Sequence, residues 1–263
     1  MRRTPRKRPA RLSIGAVHRL ARRLVILTVL LAGALWLFSF ARRHPQDLPW
    51  TKLDPAAPVG LFTGRKIAAL TTQPPADCRA LLRHAGVTFT PLAPVEAAGS
   101  CGYRDAVRLL PRDRTEIALA PVSVGMSCPV ALGLKIWEWQ VVQPAAERML
   151  GTSVRRIEHF GSYNCRRMYN RPTGDMSEHA TADAIDVSAF TLSDGRRISI
   201  VNGWSAKGET AQARRDADFL HAVRDGACGL FSTVLSPDYN AAHRDHLHLD
   251  QAERGARGWR ACR

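Results

Sequence analysis

Acidic side chains are absent from the first 43 residues of the chain, which carry eleven of its 38 Lys and Arg. That imbalance accounts for most of the net charge of +15. From His44 onward 27 basic residues stand against 23 acidic ones, so the remainder is close to neutral. The positive charge belongs to a tail, and no interleaved basic and aromatic pattern accompanies it, which argues against nucleic acid as a partner. Several catalytic frames are missing as well. The chain has no P-loop, no G-x-G-x-x-G, no G-x-S-x-G and no H-E-x-x-H, which removes nucleotide chemistry on those frames, the serine-hydrolase elbow and the helical zinc-protease signature. No two cysteines are separated by two or four residues, so a structural zinc site of the C-x2-C type is excluded too. No internal repeat is visible.

What is present near the N-terminus is an unbroken apolar run. Residues 24–41, LVILTVLLAGALWLFSFA, are 18 positions without a charge, against the ~17–25 a helix needs to span a bilayer. Nine Lys or Arg precede the run, and only Arg42 and Arg43 flank it on the far side. The positive-inside rule then keeps the N-terminus in the cytoplasm and exports everything after Arg43. Ala32-Gly33-Ala34 resembles a signal-peptidase site and Arg22-Arg23 a twin-arginine pair. The apolar run continues beyond them through Phe38, which favours an uncleaved single-pass anchor in a bacterial inner membrane. Both readings send the rest of the chain to the periplasm. All six cysteines lie beyond the run, and an even count in an oxidising compartment predicts up to three disulfides. Proximity in sequence pairs Cys78 with Cys101 and Cys228 with Cys262. Cys165, flanked by Tyr163 and Arg166, is conceivable as a nucleophile, but export favours a disulfide there.

The chain divides into a basic cytoplasmic tail (1–23), a transmembrane helix (24–41), a Pro-, Gly- and Ala-rich extended linker (42–64), a lead-in or cap region (65–126) and a main domain (127–263). In the lead-in, residues 77–84 are helical by pattern and 107–119 strand-like. Ser127-Cys128-Pro129 starts a helix: Ser caps, Pro suits the first turn, and Val130, Leu134, Trp137, Val141 and Val142 recur at helical spacing. Pro144 predicts a kink before Leu150, and Trp137 is assigned to packing. Strand patterns cover 154–163, 182–192 and 196–201, the last two joined by a Ser193-Asp194-Gly195 hairpin turn. A helix over 209–225 turns Phe219, Leu220 and Val223 inward, and a short strand over 246–249 closes the pattern. The sum is an α+β domain built on a small antiparallel sheet with flanking helices.

Imidazoles and carboxylates concentrate in two places, Ser177-Glu178-His179-Ala180-Thr181-Ala182-Asp183-Ala184-Ile185-Asp186 and His243-Arg244-Asp245-His246-Leu247-His248-Leu249-Asp250. A hydrolytic zinc site uses three N or O ligands and one open position for water, whose pKa the metal lowers towards about 7. His179, Asp186 and one of the last histidines could supply that set, with Asp183 the rival to Asp186. On a strand, residues two apart share a face, so His246 and His248 point into one site. Glu178, His243 and Asp250 either orient ligands from behind or face water.

The spacing H-x6-D followed by D-H-x-H resembles the zinc site of the lysostaphin and D-Ala-D-Ala metallopeptidase superfamily, most of all its D,D-carboxypeptidase branch. The branch pattern S-x-H-x-x-G-x-A-x-D is met by Ser177, His179, Ala184 and Asp186, with Ala182 where Gly is usual. The resemblance implies Zn2+ held by His179, Asp186 and His248, Asp245 as general base, and His246 as a donor to the developing oxyanion, roles that suit their chemistry. Ser162-Tyr163-Asn164-Cys165-Arg166 is similar to the segment whose arginine binds substrate, so Arg166 either clamps a carboxylate or makes a surface salt bridge. Residues 128–251 also resemble the extensin-like C-terminal domain family. Together these imply a membrane-anchored zinc peptidase cutting an amide in peptidoglycan peptides. The alternative is a non-catalytic cell-wall-binding or scaffold protein that retains the fold.

Overall fold

The apolar run at 24–41 lies within one long helix, α1 (Ile14–Arg43), whose large apolar side chains from Leu20 to Phe40 are exposed. It is long and apolar enough to cross a membrane. The computed structural model describes residues 14–97, 99–111, 113, 116–205, 210–254 and 259–263. The first 13 residues of the basic tail, Glu209 of the expected helix 209–225, and positions 112, 114 and 115 of the strand pattern 107–119 lie outside the described residues.

The chain forms two compact units, Met1–Pro45 and Gln46–Arg263. In the second, the segment expected as an extended linker is hydrogen-bonded into the fold. Buried Gln46 donates to the Lys52 carbonyl and accepts from Lys66, while Gln140 accepts from Val59 N–H and donates to the Ala57 carbonyl. Backbone groups along 46–62 find protein partners here, so the stretch need not remain solvated as a stalk.

Two short helices follow, α2 (Thr63–Ala68) and α3 (Pro75–His84), then two antiparallel pairs: β1 (Phe89–Pro91) with β4 (Val107–Leu109), and β2 (Val95–Glu96) with β3 (Gly102–Tyr103). The strand pattern 107–119 resolves into β4 and a separate strand, β5 (Ala118–Ala120). Helix α4 (Cys128–Trp137) starts where the capping logic puts it, with Ser127 Oγ accepting from Val130 N–H at 3.5 Å. A π-helical turn, Glu138–Val142, then leads into α5 (Gln143–Leu150). The expected disturbance at Pro144 takes this form because proline lacks an N–H and its ring crowds the carbonyl four residues earlier, which a widened turn relieves.

The main sheet contains β5, β6 (Val154–His159), β7 (Ala184–Leu192), β8 (Arg197–Ser199), β9 (Thr233–Leu235), β10 (Leu247–Asp250) and β11 (Ala261–Cys262), in the order β11-β9-β10-β7-β6-β5 with β8 beside β7. Short α6 (Ile200–Gly203) and long α7 (Ala211–Ala227) stand between β8 and β9. The sheet is mixed, which corrects the antiparallel expectation: β5 pairs β6 and β11 pairs β9 in parallel. Both parallel partners come from far along the chain, so no local turn signal announces them. Phe190 of β7 is the centre of packing, with Trp137 of α4 at 5.9 Å and Phe219 of α7 at 5.2 Å between ring centroids. Trp137 is fully buried, and its indole N–H donates to the Val223 carbonyl at 2.8 Å.

Cys228 and Cys262 are bonded as expected, but Cys78 is joined to Cys128 and Cys101 to Cys165. The Cys78–Cys101 pairing is therefore wrong. Packing of α3 on the start of α4 brings Cys78 and Cys128 to a Cα separation of 6.0 Å, a tertiary proximity that sequence distance does not reveal. Cys165 is consequently not a free thiol.

Candidate metal centre

Strands β7 and β10 run antiparallel with Asp186 directly opposite His248. Opposed residues on paired strands have Cβ atoms ~4.5–5.5 Å apart, so register alone makes these two side chains neighbours. His179 comes from a single 3-10 turn, Glu178–Thr181, which Ser177 caps by accepting from the His179 N–H. The chain leaves that turn through Ala182 at φ +61°. This left-handed conformation explains why glycine suits the position, since it costs a residue with a Cβ about 1–2 kcal/mol. Ala182 is held in it by a bond from its N–H to the His179 carbonyl and by its own carbonyl, which accepts from Ser127 N–H and Ser162 Oγ.

The three side chains converge, and one donor atom from each lies within 4.8 Å of the other two. His179 Nε2 is 3.2 Å from His248 Nδ1 and 3.2 Å from Asp186 Oδ2, and His248 Nδ1 is 3.0 Å from Asp186 Oδ1. A tetrahedral ion with bonds of ~2.0–2.1 Å has ligand-to-ligand edges of roughly 3.3 Å, so the donor set fits zinc. The far nitrogens are already engaged. His179 Nδ1 lies 2.6 Å from the Ser162 carbonyl, and His248 Nε2 lies 3.1 Å from Asp250 Oδ2. With a cation bound, donating an N–H to each acceptor would leave the inward nitrogens with lone pairs towards it, the arrangement outer partners impose on metal-binding imidazoles. Asp250 falls two residues after His248, so the strand's period was its sequence signal. Ser162 acts through its backbone carbonyl and had none.

Electrostatics bind the cluster together. Burial would raise the Asp186 carboxyl, but hydrogen bonds from His179 and His248 hold it well below the usual carboxylate range. Burial would lower His248, but its bonds to Asp186 and Asp250 raise it to about 10. Glu178 is pushed up to about 7 by burial and the charges of Asp250 and Asp183, and Asp183 to about 6, chiefly by burial. His243 is pushed down to about 4 by burial and by His246 and His248. Asp183 contacts Ser127 and Thr181 and is not one of the three converging groups.

A cleft of about 190 Å³ opens on the cluster, and Arg166, Tyr169, His243 and His246 are among its walls. Arg166 has no carboxylate partner among the described residues, which leaves the salt-bridge reading without an acid. His246 lies with Nε2 3.5 Å from Asp186 Oδ1 and Nδ1 2.9 Å from Asp245 Oδ1. Asp245 reaches the cluster through His246 and is not part of the described cleft wall.

Residues 76–263 match the family described as extensin-like protein C-terminus. The chain belongs to that family. The extensin-like match is wider than the stretch 128–251 that carries the resemblance in the sequence, and takes in α3, β1 to β5 and all three disulfides. Every residue of the candidate metal centre lies inside it. No curated protein and no solved structure matches the chain.

Proposed function

We propose that this extensin-like protein is a zinc-dependent peptidase, anchored in the inner membrane by α1, whose periplasmic unit hydrolyses an amide in peptidoglycan peptides. The observation that carries the reading is the convergence of His179, Asp186 and His248 at tetrahedral spacing, with both outer imidazole nitrogens already hydrogen-bonded. The similarity of S-x-H-x6-D and D-H-x-H to the D,D-carboxypeptidase branch supplies the substrate class. Zinc bound there supplies Lewis acidity, which polarises a carbonyl and acidifies water towards a pKa of about 7.

The chain's own groups supply the rest. A cleft of about 190 Å³ is below the ~300–1,000 Å³ of sites for larger ligands, which suits a short peptide end. Arg166 is the group available to clamp a substrate carboxylate. His246 faces the cleft and is the ring placed to stabilise negative charge on the attacked oxygen. Asp245 bonds Nδ1 of that ring and fixes its orientation, and the similarity to the D,D-carboxypeptidase branch assigns it the role of base.

Metal analysis of the purified protein should find about one zinc per chain. His179→Ala should remove both the metal and the release of amino acids from a muropeptide mixture. Asp245→Asn should keep the metal and lose turnover by at least about a hundredfold, as general acid–base catalysis contributes that much or more. Full muropeptide hydrolysis by the His179→Ala protein would end the reading.

A further inference from the structure

Arg65, Arg254 and Arg260 line one cavity of about 340 Å³ that shares no described lining residue with the metal cleft. One carboxylate, Glu253, is among the described lining residues, so the walls carry a net positive charge. None of the three arginines has an ion pair to a carboxylate among the described residues. Arg260 is built into its place: Nη1 donates to the Gly229 carbonyl at 3.0 Å, and a Cβ on Gly64 would fall 1.4 Å from Nη2. A side chain at position 64 would displace that guanidinium from where it now lies.

Arg260 Nη2 is buried and has no hydrogen-bond partner among the described residues. A buried donor in that state is costly, and a small turn of the Arg260 side chain, which already lines the cavity, would bring the donor to an oxyanion bound there. Burial and the neighbouring charge of Arg65 push Arg260 down to about 10, as expected where the protein itself does not neutralise the group. Arg254 donates to the Ser232 carbonyl and the Thr233 hydroxyl, and its guanidinium lies 4.4 Å from the ring centroid of Trp259. Trp259 is 66% exposed and borders the same cavity. A large exposed indole beside guanidiniums that have no acid partner among the described residues offers a flat apolar surface and an anion clamp together.

We infer that this cavity binds acidic saccharides, with a carboxylate or phosphate held by Arg65 and Arg260 and the sugar ring against Trp259. Its volume lies at the lower end of ligand clefts and fits a saccharide unit rather than a folded partner. The site is independent of the metal centre.

The test is calorimetric titration of the full chain in a neutral detergent with glucuronate, glucose 6-phosphate and glucose. At least one acidic sugar should bind one site per chain, at least tenfold more tightly than glucose, and the tighter of the two identifies the oxyanion. Arg65→Gln, at an exposed position, should weaken that binding at least tenfold, as should Trp259→Ala, while His179→Ala leaves it unchanged. Equal affinity for glucose, no binding of either acid, or an unaltered affinity in Arg65→Gln would overturn the site. Inorganic phosphate binding as tightly as the sugars, with no effect of Trp259→Ala, would overturn the saccharide assignment.

Discussion

Ala182 sits at the junction of the turn that carries His179 and the strand that carries Asp186, at φ +61° and fully buried. Replacing it by glycine relieves about 1–2 kcal/mol of left-handed strain. The same change gives up a buried methyl and adds chain entropy, together of similar size. Ala182→Gly should therefore change stability by less than ~1 kcal/mol, whereas Ala182→Val, β-branched at positive φ, should cost ~2 kcal/mol or more. Urea unfolding of both proteins measures the contrast, and a well-tolerated valine would refute the strain argument. Glu158 behaves differently. Its carboxyl is held below the usual range by Arg197, which binds it through two nitrogens, against the opposing effect of burial. A depressed carboxyl stabilises the fold above its unfolded pKa and loses that contribution as pH falls through the folded value. Because Arg197 is about half exposed, solvent limits the pair to ~0.5–1 kcal/mol. Arg197→Ala should be destabilised by that amount near neutral pH, with the deficit shrinking as pH falls below the ordinary carboxylate range and through the depressed folded value, in melting curves recorded across the range. A deficit that persists in acid would assign the loss to packing.

Ser127 connects the start of α4 to the loop that carries His179. Its hydroxyl accepts from Val130 N–H and bonds Asp183, and its N–H donates to the Ala182 carbonyl. Ser127→Ala should cost ~1–2 kcal/mol, the upper part of the range for a lost cap, because a buried carboxyl is left short of a partner as well. An unchanged denaturant midpoint would show that the cap is dispensable. At this scale much was legible. The cap, the Pro144 irregularity, the hairpin turn at Gly195 and the inward face of α7 follow from local chemistry at named positions. The parallel pairs β5–β6 and β9–β11 did not, since their strands are only two or three residues on one side and their partners lie far along the chain. Three-residue β9 carries no alternation long enough to register.

The two compact units make a prediction about the whole molecule. A chain beginning at Gln46 keeps the sheet, all three disulfides and the candidate metal centre. Without α1 it should leave the membrane fraction, and it should retain the near-ultraviolet dichroism of the full chain and the same zinc content. Loss of either signal would mean that the anchor is part of the fold. The apolar run, the cysteine count, the helix caps and the residue types of the candidate metal centre were determined by sequence alone, because each depends on neighbours within a few positions. The approach of His248 to Asp186 across a separation of 62 positions, the Cys78–Cys128 and Cys101–Cys165 bonds, and the gathering of guanidiniums around Gly64 were decided only by tertiary structure. Strand register and helix packing set those distances, and both are properties of the whole buried core rather than of any local stretch of chain.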